Sequence, residues 1–170
     1  QTCALPISHL RWWAANLFLQ AGQQFIWFPF QNSSFGKTLM RLLGGRVHNG
    51  ATVTIGGMHS AVALIDADLL TIGDRSYLRP GASVQGHLFM DGHLVLGTVV
   101  IRPNASLWAR SIVEPGCVVG EFGILEPHSV LSMGSELPKS GRWIGVPATH
   151  REFHSELGVK RPSHGAPRSE

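Results

Sequence analysis

The sequence predicts an all-β solenoid preceded by a helical segment and followed by a short C-terminal helix or tail, and three observations carry that prediction. Every sixth residue from Ile101 is apolar, through Leu107, Val113, Val119, Leu125, Leu131 and Leu137 to Trp143. Four places after each of the first seven stands a small residue, namely Ala105, Ser111, Cys117, Gly123, Ser129, Ser135 and Gly141. A period of six matches neither the 3.6-residue turn of a helix nor the two-residue repeat of a lone strand, so it marks short strands separated by tight turns and stacked coil on coil. The third observation is a sharp change of composition near residue 46. Residues 1–46 hold Arg11, Lys37, Arg41 and Arg46 with no acid, while residues 47–130 carry a net charge of −3.

The chain begins with Gln1 rather than Met, which reads as a piece of a longer product. Gln1-Thr2-Cys3-Ala4-Leu5-Pro6-Ile7-Ser8 resembles a translated sequencing adaptor, and residues 1–8 are assigned no function. From Trp12 to Gly36 there is no charged side chain, and eight of the fourteen aromatic residues lie within residues 1–46. An uncharged, aromatic-rich stretch flanked by Arg and Lys is the composition of a membrane–water interface. Residues 9–36 are therefore a candidate for membrane contact. Asn16, Gln20, Gln23 and Gln24 dilute the apolar face, so packing against a neighbouring domain or subunit fits as well, and the apolar length falls short of the ~20 residues of a spanning helix. Phe35 to Leu43 reads as a short amphipathic helix stopped by Gly44-Gly45. With no signal-peptide pattern, the expected location is the cytoplasm or the cytoplasmic face of a membrane.

Residues 47–148 form the repeat domain. Besides the register from Ile101, a second gives Ile72, Leu78 and Val84 with Ser76, Ala82 and Leu88. A third, weaker register gives Val47, Val53 and Ile65 with Ala51, Gly57 and Leu69. Each hexad is one flat face of a triangular coil. Its apolar residue fills the axis, and the residue four places on meets a corner that admits only a small side chain. Arg102-Pro103-Asn104, Glu114-Pro115-Gly116 and Glu126-Pro127-His128 supply turns between faces. Three hexads close one coil, so four or five coils are expected. Beyond Ala148 the repeat stops. His150 to Leu157 reads as a short helix, and residues 158–170, with Pro162, Gly165 and Pro167, as a loose tail.

The hexads resemble the left-handed parallel β-helix of hexapeptide-repeat acyltransferases. Three motifs narrow the resemblance: Asp68-Leu69-Leu70-Thr71-Ile72-Gly73, Gln85-Gly86-His87-Leu88-Phe89, and Gly141-Arg142-Trp143-Ile144-Gly145-Val146-Pro147-Ala148. Together they are similar to the C-terminal hexapeptide domain of nonribosomal peptide synthetases of the epsilon-poly-lysine synthetase type, whose membrane-associated entry helix has a counterpart in residues 9–36. The resemblance implies transfer of an acyl or aminoacyl group from a pantetheine thioester to an amine. The donor would be coenzyme A or phosphopantetheine on a carrier domain, held by the turn Gly145-Val146-Pro147-Ala148 with Arg142 and Trp143 before it. It also implies a homotrimer or docking against sister domains of the same polypeptide. The other reading is a noncatalytic assembly module.

Catalysis points to the interval between Val84 and Ile101, which is 17 residues where 18 would keep phase. Loops that interrupt a rigid scaffold commonly carry function, and this one holds His87, Asp91 and His93. An imidazole titrates near neutral pH. Given the resemblance, His87 is the candidate general base, with Asp91 to orient it. The structural alternative is that His87 simply ties the loop to the coil. The family carries charged residues after the His-Leu-Phe triplet where this chain has Met90, Gly92 and Val95, a departure that implies an altered substrate or lost activity. His93 reads as a surface or packing residue.

Other chemistries fit less well. Related carbonic anhydrases hold zinc with a His-x4-His pair, whereas His87 and His93 are spaced His-x5-His, and His59 and His128 are isolated; no metal is expected. Cys3 and Cys117 are too far apart in sequence and too few for a disulfide scaffold or metal knuckle, and Cys117 occupies a small-residue corner. Asp66 and Asp68 read as turn acids. There is no phosphate loop, nucleophile elbow or basic stripe for nucleic acid.

Overall fold

The computed structural model describes residues 2–3, 6–22, 34–53 and 64–151. The short strand β1 (Thr2–Cys3) and the helix α1 (Pro6–Gly22) come first, followed by α2 (Ser34–Leu42). α2 begins and ends within a residue of the amphipathic pattern, and Gly44 ends it in the left-handed region at φ 97°. The amides of Leu43, Gly44 and Gly45 return to the carbonyls of Leu39, Arg41 and Met40, so the helix end is satisfied.

The repeat region follows. β2 (Arg46–Val47) and β3 (Thr52–Val53) make two faces of a first coil. A 3-10 helix, Leu64–Leu69, then leads into β4 (Leu70–Ile72), β5 (Tyr77–Leu78) and β6 (Ser83–Val84). The hairpin strands β7 (His87–Met90) and β8 (His93–Leu96) interrupt the stack. It resumes with β9 (Val99–Ile101), β10 (Ser106–Leu107) and β11 (Ile112–Val113), then β12 (Val118–Val119), β13 (Ile124–Leu125) and β14 (Val130–Leu131). β15 (Glu136–Leu137), β16 (Arg142–Gly145) and β17 (Ala148–His150) complete it.

Strands one coil apart pair in parallel, which builds three sheets along the stack. The first runs β2-β4-β9-β12-β15, the second β3-β5-β10-β13-β16, and the third β6-β11-β14. Register keeps like on like: Ile72 pairs with Ile101 and Ile101 with Val119, while Leu78 pairs with Leu107 and Leu107 with Leu125. These axial side chains are fully buried, as are Ala105, Ser111, Cys117 and Ser129 at the corners. The six-residue register is therefore the actual register from Ile101 to Leu137. Trp143 ends it only partly buried against the core.

Corners repeat with the same period. Asn104, Arg110, Gly116, Phe122, His128, Gly134 and Ser140 all have φ between 56° and 79°. Non-glycine residues pay roughly 1–2 kcal/mol to enter this region, so stacking on both sides must hold Arg110 and Phe122 there. Pro103-Asn104 and Pro115-Gly116 suit it by composition; Arg110 and Phe122 do not.

Two expectations change. The repeat pattern predicts an axial strand position for Ile65, but it lies in the 3-10 helix Leu64–Leu69; Gly57 lies outside the described residues. His150 was assigned to a helix. It is instead the last residue of β17, which folds back antiparallel on β16 with His150 opposite Trp143, because the hairpin supplies backbone partners that a helix start would forgo. The remainder of that expected helix and the tail lie outside the described residues.

Candidate functional site

The site is built where the repeat fails. After Val84 the chain leaves the stack as an antiparallel hairpin, with His87 opposite Leu96 and Met90 opposite His93, and the amide of Gly97 donates to the carbonyl of Gly86 to close its base. Leu94 is buried, whereas Phe89, Met90 and Asp91 are exposed toward the tip. His87 stands at the base, where the coil fixes its backbone.

Its partner comes from the 3-10 helix twenty-one residues earlier in the chain. Asp66 is 1% exposed and the His87 side chain 20% exposed. His87 Nδ1 lies 2.8 and 2.7 Å from the two carboxylate oxygens of Asp66, and the Gly86 amide donates to Asp66 Oδ2 at 3.0 Å. A carboxylate is an acceptor only, so Nδ1 carries the proton that it donates to Asp66, and in the neutral ring the lone pair sits on Nε2. The Phe89 ring meets the imidazole edge-on with centroids 6.3 Å apart.

Gly86 makes this approach sterically feasible. A Cβ there would lie 2.9 Å from both Asp66 Cβ and Leu69 Cδ1, inside van der Waals contact. On its other side the 3-10 helix is met by Gly45, whose Cβ would fall 2.7 Å from the Ala67 carbonyl. The helix that carries Asp66 is thus seated between two glycines.

The structure corrects the expected pairing. Asp91 does not orient His87: it forms the hairpin turn at φ 50°, and its carbonyl accepts from His93 Nδ1 at 2.8 Å. Four residue-to-residue steps at ~3.3 Å each separate it from His87. The orienting carboxylate is Asp66, which the sequence reading treated as a turn acid. The signal that could have found it is its burial-prone setting, Leu64-Ile65-Asp66-Ala67, where an acid among apolar residues needs a partner.

The residues assigned to the donor lie at the far end of the stack. Arg142 Nε donates to Glu126 Oε1 at 2.8 Å, and its Nη2 reaches the same oxygen; Glu126 is buried. Trp143 Nε1 is buried and, among the described residues, has no hydrogen-bond partner. Gly145 donates its amide to Ser129 Oγ at 3.0 Å, the Val146-Pro147 peptide is cis, and Ala148 is buried. This turn is remote in the stack from the hairpin base. Cys117 is buried, and its Sγ donates to the Ser132 carbonyl at 3.0 Å. Burial pushes this thiol above its ordinary value of 9.0. Among the described residues no group of three His, Cys, Asp or Glu side chains converges on one point.

Comparison with known proteins agrees with the architecture. No family model matches the chain. A stretch of 109 residues is 28% identical to the delta-poly-L-ornithine synthetase of Acinetobacter baumannii, covering 64% of this chain and 8% of that protein. The chain therefore spans a small part of the length of this relative. Among solved structures, a hexapeptide-repeat-containing acetyltransferase from Vibrio cholerae superposes with a TM-score of 0.52 at 13% identity, covering 89% of this chain and 94% of that one. Its complex with acetyl coenzyme A gives a TM-score of 0.53 at 12% identity, covering 86% and 89%. The chain has the fold of the hexapeptide-repeat acetyltransferases.

Proposed function

We propose that this chain is an acyl- or aminoacyl-transferring unit, a left-handed parallel β-helix in which His87 is the general base and Asp66 its positioning residue. The observation that carries the reading is the buried Asp66 carboxylate on Nδ1 of His87, at the base of the hairpin that interrupts the repeat. With Nδ1–H committed to Asp66, Nε2 is the nitrogen that accepts a proton. An amine attacks the thioester carbonyl, its proton passes to Nε2, the C–N bond forms and the C–S bond breaks, and the leaving thiolate takes the proton from the imidazolium. The buried carboxylate stabilises the imidazolium between these two transfers. Backbone amides would serve the oxyanion.

The likeness to a structure complexed with acetyl coenzyme A supports coenzyme A as donor. The likeness to a delta-poly-L-ornithine synthetase supports a basic amino acid as the amine acceptor, and phosphopantetheine on a carrier domain is the second donor proposed. Arg142, Trp143, Gly145, Pro147 and Ala148 are assigned to the donor, with the Arg142 charge already met by Glu126. Assembly is proposed as a homotrimer or docking on sister domains. Trp13, Leu17 and Phe18 of α1 are each more than half exposed, which supports contact of residues 9–36 with a partner or with a membrane on its cytoplasmic face. No helix among the described residues is long and apolar enough to cross a bilayer.

The test is thiol release from acetyl coenzyme A with L-ornithine or L-lysine as acceptor. His87→Ala is expected to lower turnover by about a hundredfold or more, with donor binding unchanged, and exposed His93→Ala to have little effect. Intact acylation in a folded, assembled His87→Ala protein would leave the noncatalytic assembly module as the better account.

A further inference from the structure

Three of the four cations of the N-terminal segment, Lys37, Arg41 and Arg46, gather at one end of the stack. Lys37 and Arg41 lie on α2 and Arg46 on β2. Lys37 Nζ donates to the carbonyls of Asn49 at 2.6 Å and Ala51 at 3.2 Å. Arg41 donates Nε to the Val47 carbonyl and Nη2 to Asn49 Oδ1, both at 2.7 Å. All four acceptors are neutral, so Lys37 and Arg41 are held in place without losing their charge. Among the described residues no carboxylate forms an ion pair with Lys37, Arg41 or Arg46.

Arg41 and Arg46 line a groove of ≈590 Å³ together with His48, Thr71 and the half-buried Pro103. That volume falls in the range of small-molecule sites. Two acids are near. Asp74 borders the groove, but His48 Nδ1 at 2.7 Å and Arg75 Nε at 3.4 Å already face it. Asp68 is exposed beside Gly44. The negative end of the α2 dipole is met by the three amides that cap it. Among the described residues the charges of Arg41 and Arg46 at the groove are therefore not matched by an ion pair. Neither His87 nor Asp66 lines the groove.

We propose that this groove is a binding site for an organic anion, its carboxylate or phosphate held by the guanidinium groups of Arg41 and Arg46 and its carbon skeleton lying against Pro103. Guanidinium suits both anions because its planar fork makes paired hydrogen bonds to their oxygens. The site stands independently of acyl transfer.

Isothermal titration of the full chain with inorganic pyrophosphate in one arm and citrate in the other tests it and separates the phosphate from the carboxylate source. Saturable binding of at least one anion is expected, weakened about tenfold or more in Arg46→Ala, as loss of a charge-assisted contact implies, and unchanged in His87→Ala. Arg46 is exposed, so its replacement should leave the melting temperature in place, and circular dichroism checks this. Wild-type affinity in Arg46→Ala overturns the proposal. So does the absence of saturable binding by either anion, or an equal loss in Arg102→Ala, an exposed arginine outside the groove.

Discussion

Replacing Asp66 by Asn changes one atom type and separates positioning from packing. In the wild type the two carboxylate oxygens accept from His87 Nδ1 at 2.7–2.8 Å and from the Gly86 amide at 3.0 Å. An amide offers one oxygen and one NH2. If its oxygen stays with Gly86, the NH2 meets Nδ1 and favours the tautomer with the proton on Nε2, so the nitrogen facing the amine becomes a donor. If its oxygen turns to His87, the Gly86 amide loses its acceptor at a site where Asp66 is 1% exposed. Either way a charge-assisted hydrogen bond worth about 1.5–3 kcal/mol is lost. Applied to the imidazolium of the transition state, that is about ten- to a hundredfold in kcat at 1.4 kcal/mol per decade. The KM for donor should hardly move, because Asp66 faces the imidazole and the Gly86 amide. Steady-state acylation gives the kcat and KM split, and 15N shifts of the His87 ring report the tautomer. A folded Asp66→Asn protein with wild-type kcat and an unchanged tautomer would show that the dyad only ties the hairpin to the coil.

Gly86→Ala should act on the same dyad through space alone: a Cβ 2.9 Å from Asp66 and Leu69 pushes the 3-10 helix outward, so turnover and melting temperature should both fall, with kcat more affected than KM. Leu125→Ala removes a fully buried axial side chain and should cost about 2–5 kcal/mol, read by denaturant titration, with a folded variant keeping its chemistry. Cys117 titrates higher in the folded chain than when unfolded because it is buried. The unfolded chain then loses this proton first, so the thiol's contribution to stability is complete below the ordinary value near 9.0 and declines as pH rises through the raised one. A Cys3→Ser protein should therefore react slowly with a thiol reagent at pH 8, become less stable from pH 9 upward, and lose that decline in the added Cys117→Ser variant.

The coils were legible because they depend on local pattern. An axial residue recurs every six positions, and its environment is set by apolar neighbours above and below, so Ile101, Leu107 and Leu125 declare themselves without any knowledge of distant chain. Val47 and Val53 were found for the same reason. Ile65 was misplaced because a register of two strands was extended to a third position, where the chain forms a 3-10 helix instead. His150 was misplaced because a hairpin return leaves no periodic mark. The interrupted interval was recognised from its count of residues, and with it His87, but the phase slip locates an irregularity and says nothing of what contacts it.

Asp66 was missed for a physical reason that holds generally for dyads. Its partner lies twenty-one residues away, and sequence proximity favoured Asp91, four residues from His87. In an antiparallel hairpin, however, a residue four positions along the strand is carried away from the base toward the tip, and strand geometry puts ~13 Å between the two backbones. The residues near a hairpin's base in space are those of the coil beneath it. The coil beneath His87 is entered by the 3-10 helix, and only one acid of that helix can turn inward: Asp68 is exposed, whereas Asp66 and Ala67 are buried. A buried acid in so short a helix requires a donor to offset its desolvation, and the Gly86 amide and the His87 ring provide two. The same contacts that make the charge tolerable fix the imidazole in one tautomer, so the cost of burying Asp66 and the orientation of the His87 ring have a single structural cause.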